Sequence, residues 1–414
     1  MKMFTEQAKR FPVYAEVDVL VIGGGPAGNA AALAAARAGA DTLLVERHAY
    51  LGGSVADSLQ GMINGFRNPH RPNLVQTVRG IPQEIVLRLN RMNGLRPAPV
   101  QQDQFELPLG QLNYAYSADV EKLKVLLMQL MDESQCDVLL HTYATAAIVE
   151  NGRINGAIIE NKSGRQAILA TTVIDCTGDA DIAYRAGAIC QNLPRSASAG
   201  SRPMMYKVNG FHIDAGAAMP GVMFNGSLVI NGPSVSIHGI TANDVSRGEI
   251  EARTRVLDHF EHLRQQYPGL KNAFVSETAP CLEFNRIRYI QGEYTLTERD
   301  ALHGTRFPDV IAISSAPIQS YYPAPRHLEH EGFDIPYRCL LPLRVSGLIV
   351  AGPSISCEPQ PSESIGASAC LMAIGQAAGS AAALATARSI LPRQVNAIEL
   401  QQMLLKQGAE LRRG

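Results

Sequence analysis

The sequence predicts an α/β protein: a three-layer, Rossmann-like domain made from both chain ends, with a β-rich α+β domain inserted. Three observations carry this prediction. A strand, a glycine turn, an Ala-rich helix and a second strand follow one another from Val17 to Gly53. An apolar run ending in glycine returns at Val173-Ile-Asp-Cys-Thr-Gly178 and again at Gly347-Leu-Ile-Val-Ala-Gly352. Between those returns, from about Gln191 to Tyr337, Gly, Pro, Ser and aromatic residues mix with short strand candidates. The expected division is 1–190 and 338–414 for the first domain and 191–337 for the insertion.

The first stretch is the most informative. Val17 to Ile22 is rich in β-branched residues and suits a buried strand. Gly23, Gly25 and Gly28 fill the fixed positions of G-x-G-x-x-G. Gly23 makes the tight turn, Gly25 lets backbone approach a pyrophosphate, and Gly28 lets the helix pack close to the strand. Pro26 to Ala38 is a run of small helix formers that stops at Gly39, so its start offers free N–H groups and the positive end of a dipole to phosphates. Thr42 to Val45 is the second strand, and it ends in Glu46, placed to accept hydrogen bonds from ribose hydroxyls. Together these parts define a dinucleotide site.

Composition narrows the classes. The 414 residues are 46% hydrophobic and 18% charged, an ordinary globular balance with a large core. The net charge of −1 and the lack of any basic run of five argue against nucleic acid as a partner. The seven cysteines are scattered without a C-x-x-C pair, so no metal site and no dithiol motif is expected. Their odd number and a polar N-terminus without an apolar leader suit a reducing, cytoplasmic setting. Ile365 to Ala387 is nearly uncharged and contains Gly375-x-x-x-Gly379. Its Ala, Gly and Ser gain little from lipid, so a tightly packed internal helix is expected and not a membrane span.

Further along, Leu51-Gly52-Gly53-Ser54 lets backbone approach a ligand. Residues from about 67 to 115, rich in Pro, Gln and Asn, carry no clear pattern. Ser117 to Asp132 has apolar residues at helical spacing, with Asp119 and Glu121 in its first turn. Short strands are expected at Val138–Leu140, Thr145–Val149, Ile154–Ile159 and Ala167–Leu169, folded as an antiparallel excursion with turns at Asn151-Gly152 and Ser163-Gly164. A helix from about Arg247 to Tyr267 is expected to open with the capping box Ser246-x-x-Glu249. Asn396 to Leu411 reads as a closing amphipathic helix.

With these stretches in place, the sequence resembles the oxidoreductases that share the glutathione-reductase-like FAD domain, and more narrowly the group called simply FAD-dependent oxidoreductases. Besides the stretches above, Gly292-Glu-Tyr-Thr-Leu-Thr297, Asp334-Ile-Pro-Tyr-Arg-Cys-Leu-Leu-Pro342 and Met372-Ala-Ile-Gly-Gln-Ala-Ala-Gly379 match, in the expected order over nearly the whole chain. The resemblance implies a Rossmann-like FAD-binding domain, an inserted substrate domain, and FAD as cofactor. It implies that Gly23, Gly25, Pro26, Ala27 and Gly28 face the pyrophosphate and Glu46 the adenosine ribose, with Arg47 beside the adenine. Gly52, Gly53 and Ser54 would follow the pyrophosphate and ribityl chain, and Thr145 or its neighbours would present backbone to the adenine. Gly178 and Asp179 would approach the cofactor's middle, and Gly352 its ribityl end. The helix after Ser364, entered through Gly366 and Ala367, would aim its N-terminus at the flavin pyrimidine and favour the negative charge of reduced flavin. Where members of the group often carry Arg, His and Arg near the flavin, this chain has Pro353, Pro359 and Gly366.

The implied reaction is hydride transfer between a small-molecule substrate and flavin N5, with substrate oxidation the expected direction. No second complete G-x-G-x-x-G is present, so no dedicated NAD(P)H domain is expected. Arg288 and Arg338, near the two ends of the insertion's return to the first domain, are candidate anchors for a substrate carboxylate; the alternative is structural pairing, for instance with Glu283 or Glu293. His327 and His330 are candidate acid–base groups or solvated loop residues. Tyr321 and Tyr322 could line a flat pocket, Glu363 could act as a base near the flavin, and Cys176 and Cys357 read as inert buried thiols. Two other functions stay open at this point: an NAD-dependent dehydrogenase using the single glycine motif, and a binding module with structural FAD. The expected partner is a small molecule, and a homo-oligomer is compatible with the chain.

Overall fold

The computed structural model describes residues 10–57, 59, 61–69, 75–97, 112–192, 203–212, 219–237, 241–282, 287–318 and 326–412. The α/β core forms as the glycine-punctuated runs require. β1 (Val13–Ile22), α1 (Pro26–Arg37) and β2 (Thr42–Val45) make the first βαβ unit. α2 (Val120–Glu133) leads into β3 (Asp137–Leu139), and the strands β4 (Tyr143–Glu150), β5 (Arg153–Asn161) and β6 (Gly164–Asp175) follow. Near the C-terminus come β7 (Leu348–Val350) and the long helix α3 (Ser368–Ala387).

The main sheet runs β3-β2-β1-β6-β7, every pair parallel. β4, β5 and the first half of β6 form an antiparallel meander on it. Each face of the parallel strands is covered, as parallel sheets require. Val19 and Val21 point into the core shared with α1 and α3, and Leu20 and Ile22 point into a second core shared with Ile154, Ile159 and Ile168 of the meander.

α3 is long and apolar enough to cross a membrane by composition alone, yet it is buried along nearly its whole length inside the protein. The reason is backbone contact. A β-carbon at Gly375 would lie 2.0 Å from the carbonyl oxygen of Ala27, and one at Gly379 would lie 2.0 Å from that of Ala31. The small-residue pattern is therefore the footprint of α1 on α3.

A four-stranded antiparallel sheet forms within residues 203–278, in the order Gly221–Phe224, Ser227–Ser234, Pro203–Asn209, Phe274–Thr278. The helices Ala242–Thr254 and Val256–Gln266 close a core of its own around Met204, Tyr206, Val208, Ile230 and Phe260. Val310–Ser314 and Phe333–Pro336 pair with each other, and their side chains join the main core instead.

Several element expectations need correction. Ala167–Leu169 and Val173–Asp175 are one strand, β6, because β1 runs along it from Ala167 to Asp175 while its other edge pairs with β5 up to Leu169 and with β7 from Val173. Asp119 caps α2 from outside, accepting from the N–H groups of Glu121 (3.1 Å) and Lys122 (3.3 Å). Ser246-x-x-Glu249 is no capping box. Its helix starts at Ala242 behind Thr241, whose hydroxyl accepts from Asp244 N–H at 3.2 Å, and Glu249 instead accepts from Leu282 N–H at 2.6 Å. The true box is Thr297-x-x-Asp300.

Candidate cofactor site

The strand ends, two glycine loops and two helix starts meet on one side of the parallel sheet. Gly23 has φ of +101°, and a β-carbon there would sit 2.8 Å from the carbonyl oxygen of Cys176 at the end of β6. A β-carbon at Gly28 would sit 1.7 Å from the carbonyl oxygen of Gly23, so α1 packs on the strand only with glycine there. Gly25 meets nothing within 4 Å, which leaves its backbone open to a ligand. Gly53 of the second loop lies against it, its absent β-carbon 2.7 Å from Gly25 Cα, and Gly352 beyond β7 faces Ala27. The Asn29 side chain donates to the carbonyls of Gly24 (2.8 Å) and Gly25 (2.9 Å), tying the first turn of α1 to the loop.

Glu46 is buried at the end of β2. One carboxylate oxygen accepts from Gly24 N–H at 2.5 Å and the other from His48 N–H at 2.8 Å. The acid thus holds the glycine loop and stands next to it, where the sequence pattern requires an acceptor. Arg47 beside it is exposed. The chain returns here from β3: Glu46 N–H donates to Leu139 O and Thr142 N–H to Glu46 O. Thr145 is three residues further on, at a bulge between Ala144 and Ala146 in β4, its hydroxyl donating to Ile158 O at 3.3 Å. Ser54 starts the short helix Ser54–Asp57 that follows the second glycine pair.

At the other end, the start of α3 is held by Asn64. Its side-chain oxygen accepts from Ser368 N–H at 3.0 Å, and its N–H donates to Ser368 Oγ at 2.9 Å. Gly65 then packs so closely on Ala367 that a β-carbon would lie 2.5 Å from the alanine methyl. Gly366 and Ala367 form the turn between the helix Pro359–Ile365 and α3. The contacts of Gly375 with Ala27 and of Gly379 with Ala31 run α1 and α3 in the same direction, so both helix starts, with their positive ends, lie toward the same end of the pair.

Gly178 is exposed with open space around it, and its carbonyl accepts from Ser354 Oγ at 2.7 Å. The Asp179 carboxylate turns elsewhere. It accepts from Ile287 N–H (2.8 Å) and Arg288 N–H (3.4 Å), and burial, with Asp181 nearby, pushes it above the usual carboxylate range. Asp175, fully buried at the end of β6, is likewise pushed up by burial although Thr177 and Ala183 donate to it.

Both candidate arginines carry carboxylate partners. Arg288 donates to Asp181 (3.2 Å) and to Asp179 O (3.0 Å), with its guanidinium 4.1 Å from the Tyr184 ring centre. Arg338 makes a two-point pair with Asp309, Nε to Oδ2 at 2.9 Å and Nη2 to Oδ1 at 3.1 Å. Glu293 pairs with Arg393 (3.3 Å), and Glu283 lies outside the described residues. His330 Nδ1 accepts from Gly332 N–H (3.1 Å), which makes Nε2 the donor to Ala301 O (2.9 Å) and leaves no ring nitrogen over. His327 is exposed, Glu363 is half-buried on Pro359–Ile365, and Tyr321 and Tyr322 lie outside the described residues. Cys176 and Cys357 are buried, and burial holds the Cys176 thiol far above its ordinary range.

One group escaped the sequence reading. Arg67, in the stretch without a pattern, is 2% exposed, and its Nε and Nη1 donors have no acceptor among the described residues. Only its position just after Asn64 and Gly65 hints at a role, and that position acquires meaning through the contact with α3.

A parallel sheet ending in paired glycine loops, with a buried acid at the second strand and a second helix running parallel to the first, defines a dinucleotide-binding fold, and the open backbone at Gly25 fits a pyrophosphate. The chain belongs to the FAD-dependent oxidoreductase family, whose model matches residues 18–219 and 191–404. It is thus an enzyme with FAD as cofactor, and FAD displaces the NAD-only alternative. Among curated proteins it is similar to a digeranylgeranylglycerophospholipid reductase of Methanoculleus marisnigri, 31% identical over 175 residues, which is 41% of each chain. The sarcosine oxidase subunit alpha of a Corynebacterium species is 46% identical over 61 residues, 15% of this chain and 6% of that one. The chain spans about two fifths of the length of the first curated relatives it matches. Among solved structures, a geranylgeranyl bacteriochlorophyll reductase-like protein of Thermoplasma acidophilum shares the fold over 96% of this chain and 84% of its own, with TM-score 0.51 and 16% identity. A myxobacterial chondrochloren halogenase does so over 95% and 79%, with TM-score 0.50 and 12% identity.

Proposed function

We propose that this enzyme moves a hydride between a small-molecule substrate and flavin N5, in the cytoplasm, and that the start of α3 would hold the flavin end of FAD. The observation that carries the reading is the pair of parallel helix starts, the first at an open glycine loop and the second held by Asn64. FAD, when bound, supplies the two-electron chemistry. The chain's own residues do the rest. Gly25, Gly53 and the N–H groups of α1 receive the pyrophosphate, Glu46 accepts from the adenosine ribose, and Thr145 offers backbone to the adenine. Gly352, Gly366 and Ala367 line the flavin end, where the dipole of α3 favours negative charge on the pyrimidine. With Arg288 and Arg338 tied to Asp181 and Asp309, we give them the task of fixing the junction of the two units. The cytoplasmic location is supported by seven free cysteines, which suit a reducing compartment.

The test is the visible spectrum of the purified protein before and after acid precipitation. Flavin bands that leave with the supernatant support non-covalent FAD, and anaerobic bleaching by candidate substrates then reads the substrate and the direction. A colourless protein that takes up no added FAD would overturn the reading.

A further inference from the structure

Arg67 is a buried cation without a counter-ion among the described residues. A guanidinium stays protonated in a protein, and burying one unpaired is costly unless something arrives to pair with it. Arg288 shows the ordinary solution, a carboxylate at 3.2 Å. Arg67 has none among the described residues, although burial works against its charge.

The guanidinium is not placed by chance, because the backbone around it is pinned. Arg67 bridges Gln76, and Phe66 O accepts from Thr77 N–H at 2.8 Å. Asn68 donates to the carbonyls of Leu328 and His330, both at 2.9 Å. On the other side Asn64 and Gly65 hold the segment to Ser368 and Ala367. Phe66 and Tyr116 stand edge to face, ring centres 6.1 Å apart, and supply an apolar wall. A fixed cation with two unsatisfied donors, in an apolar setting beside the second helix start, is arranged to receive an anion.

We propose that Arg67 binds a delocalised anion brought by a ligand at the start of α3. Two sources present that chemistry, a carboxylate on the substrate and the N1–C2 carbonyl edge of reduced flavin. The inference rests on the flavin placement given above.

The experiment uses the FAD-loaded protein, wild type, Arg67→Gln and Arg67→Lys. Acetate and sulfate are titrated while the flavin spectrum is read, and the midpoint potential and FAD dissociation constant are measured. If the substrate is the source, the wild-type spectrum responds to acetate or sulfate with saturation. Arg67→Gln then weakens that response about tenfold or more with the potential unchanged, the loss of one charge-assisted contact. If flavin is the source, the anions have no effect and Arg67→Gln lowers the potential by about 30 mV, the equivalent of tenfold for a two-electron couple, with Arg67→Lys in between. Wild-type protein that holds FAD, ignores both anions, and matches the potential of a folded Arg67→Gln overturns the proposal and leaves the flavin reading intact. A protein that takes up no FAD overturns both.

Discussion

At the scale of single residues, the site depends on groups whose hydrogen bonds are already used within the fold. Glu46 holds Gly24 and His48 while standing where a ribose is expected. Glu46→Gln keeps one acceptor and loses the charge, so FAD affinity should fall about tenfold, or about 1.4 kcal/mol, with little change of fold; a flavin-fluorescence titration beside a far-UV spectrum checks it. The buried thiols make a second prediction. Burial, with Asp137 and Asp41 nearby, pushes Cys136 up to about 12. A folded value above the unfolded one keeps its stability in full below the unfolded pKa and loses it as pH rises toward 12. From about pH 8.5 to pH 10 the wild type should therefore lose about 2 kcal/mol that Cys136→Ala does not lose, read from urea midpoints at each pH. The glycines and Glu46 were legible because they sit at fixed spacings. Arg67 was not, since nothing in Gly65-Phe-Arg67-Asn68 distinguishes a buried arginine from an exposed one.

At the scale of elements, the legible parts are those whose local chemistry is complete. α1 and β2 appear where composition puts them, and α3 is internal because glycine meets backbone. Replacing Gly375 by Val would place carbon atoms against Ala27 O, where a β-carbon has only 2.0 Å. Overpacking of this kind costs about 1–3 kcal/mol or more, and since Ala27 belongs to the first turn of α1, FAD retention should drop with the melting temperature. A variant that melts like wild type and keeps its flavin would show that the two helices separate without cost. Ser246-x-x-Glu249 failed as a start signal for a related reason. Its pattern satisfied the motif, but Thr241 was a cap further upstream and Glu249 found a tertiary partner in Leu282. Likewise β6 reads as two short strands because the partner on one of its edges changes from β5 to β7 along its length while β1 stays on the other.

At the scale of the whole molecule, residues 193–287 leave and rejoin the rest of the chain at one point. Cys190–Asn192 and Arg288–Ile290 are antiparallel partners, with Asn192 opposite Arg288. Such partners lie about 5 Å apart, a gap that a two-residue turn closes. Replacing residues 193–287 by Asn-Gly should therefore give a protein that folds and binds FAD but turns over no substrate. A flavin spectrum and a gel-filtration profile check the first part and stopped-flow reduction checks the second. Failure of the excised protein to fold would show that links such as Asn225 to Asp119 (2.6 Å) and the packing around Leu59 are needed by both parts. The returns to the parallel sheet at Asp175 and Val350 were visible as apolar runs ending in glycine; the separate core at 203–282 was visible only as a change of composition, because antiparallel strands of irregular length carry little period.

The backbone contact between α1 and α3 turns the two helices into a gauge block. On the proposed placement, one end of the block is marked by the phosphates and the other by the flavin ring, and Gly375 against Ala27 leaves the distance between the marks no play. Such a gauge reads the length of the molecule laid along it, so FMN, which keeps the ring and one phosphate but lacks the second phosphate and the adenosine, engages the phosphate mark only in part. It also cannot be half broken: on heating, flavin release followed by fluorescence and loss of helix followed by circular dichroism should fall on a single curve.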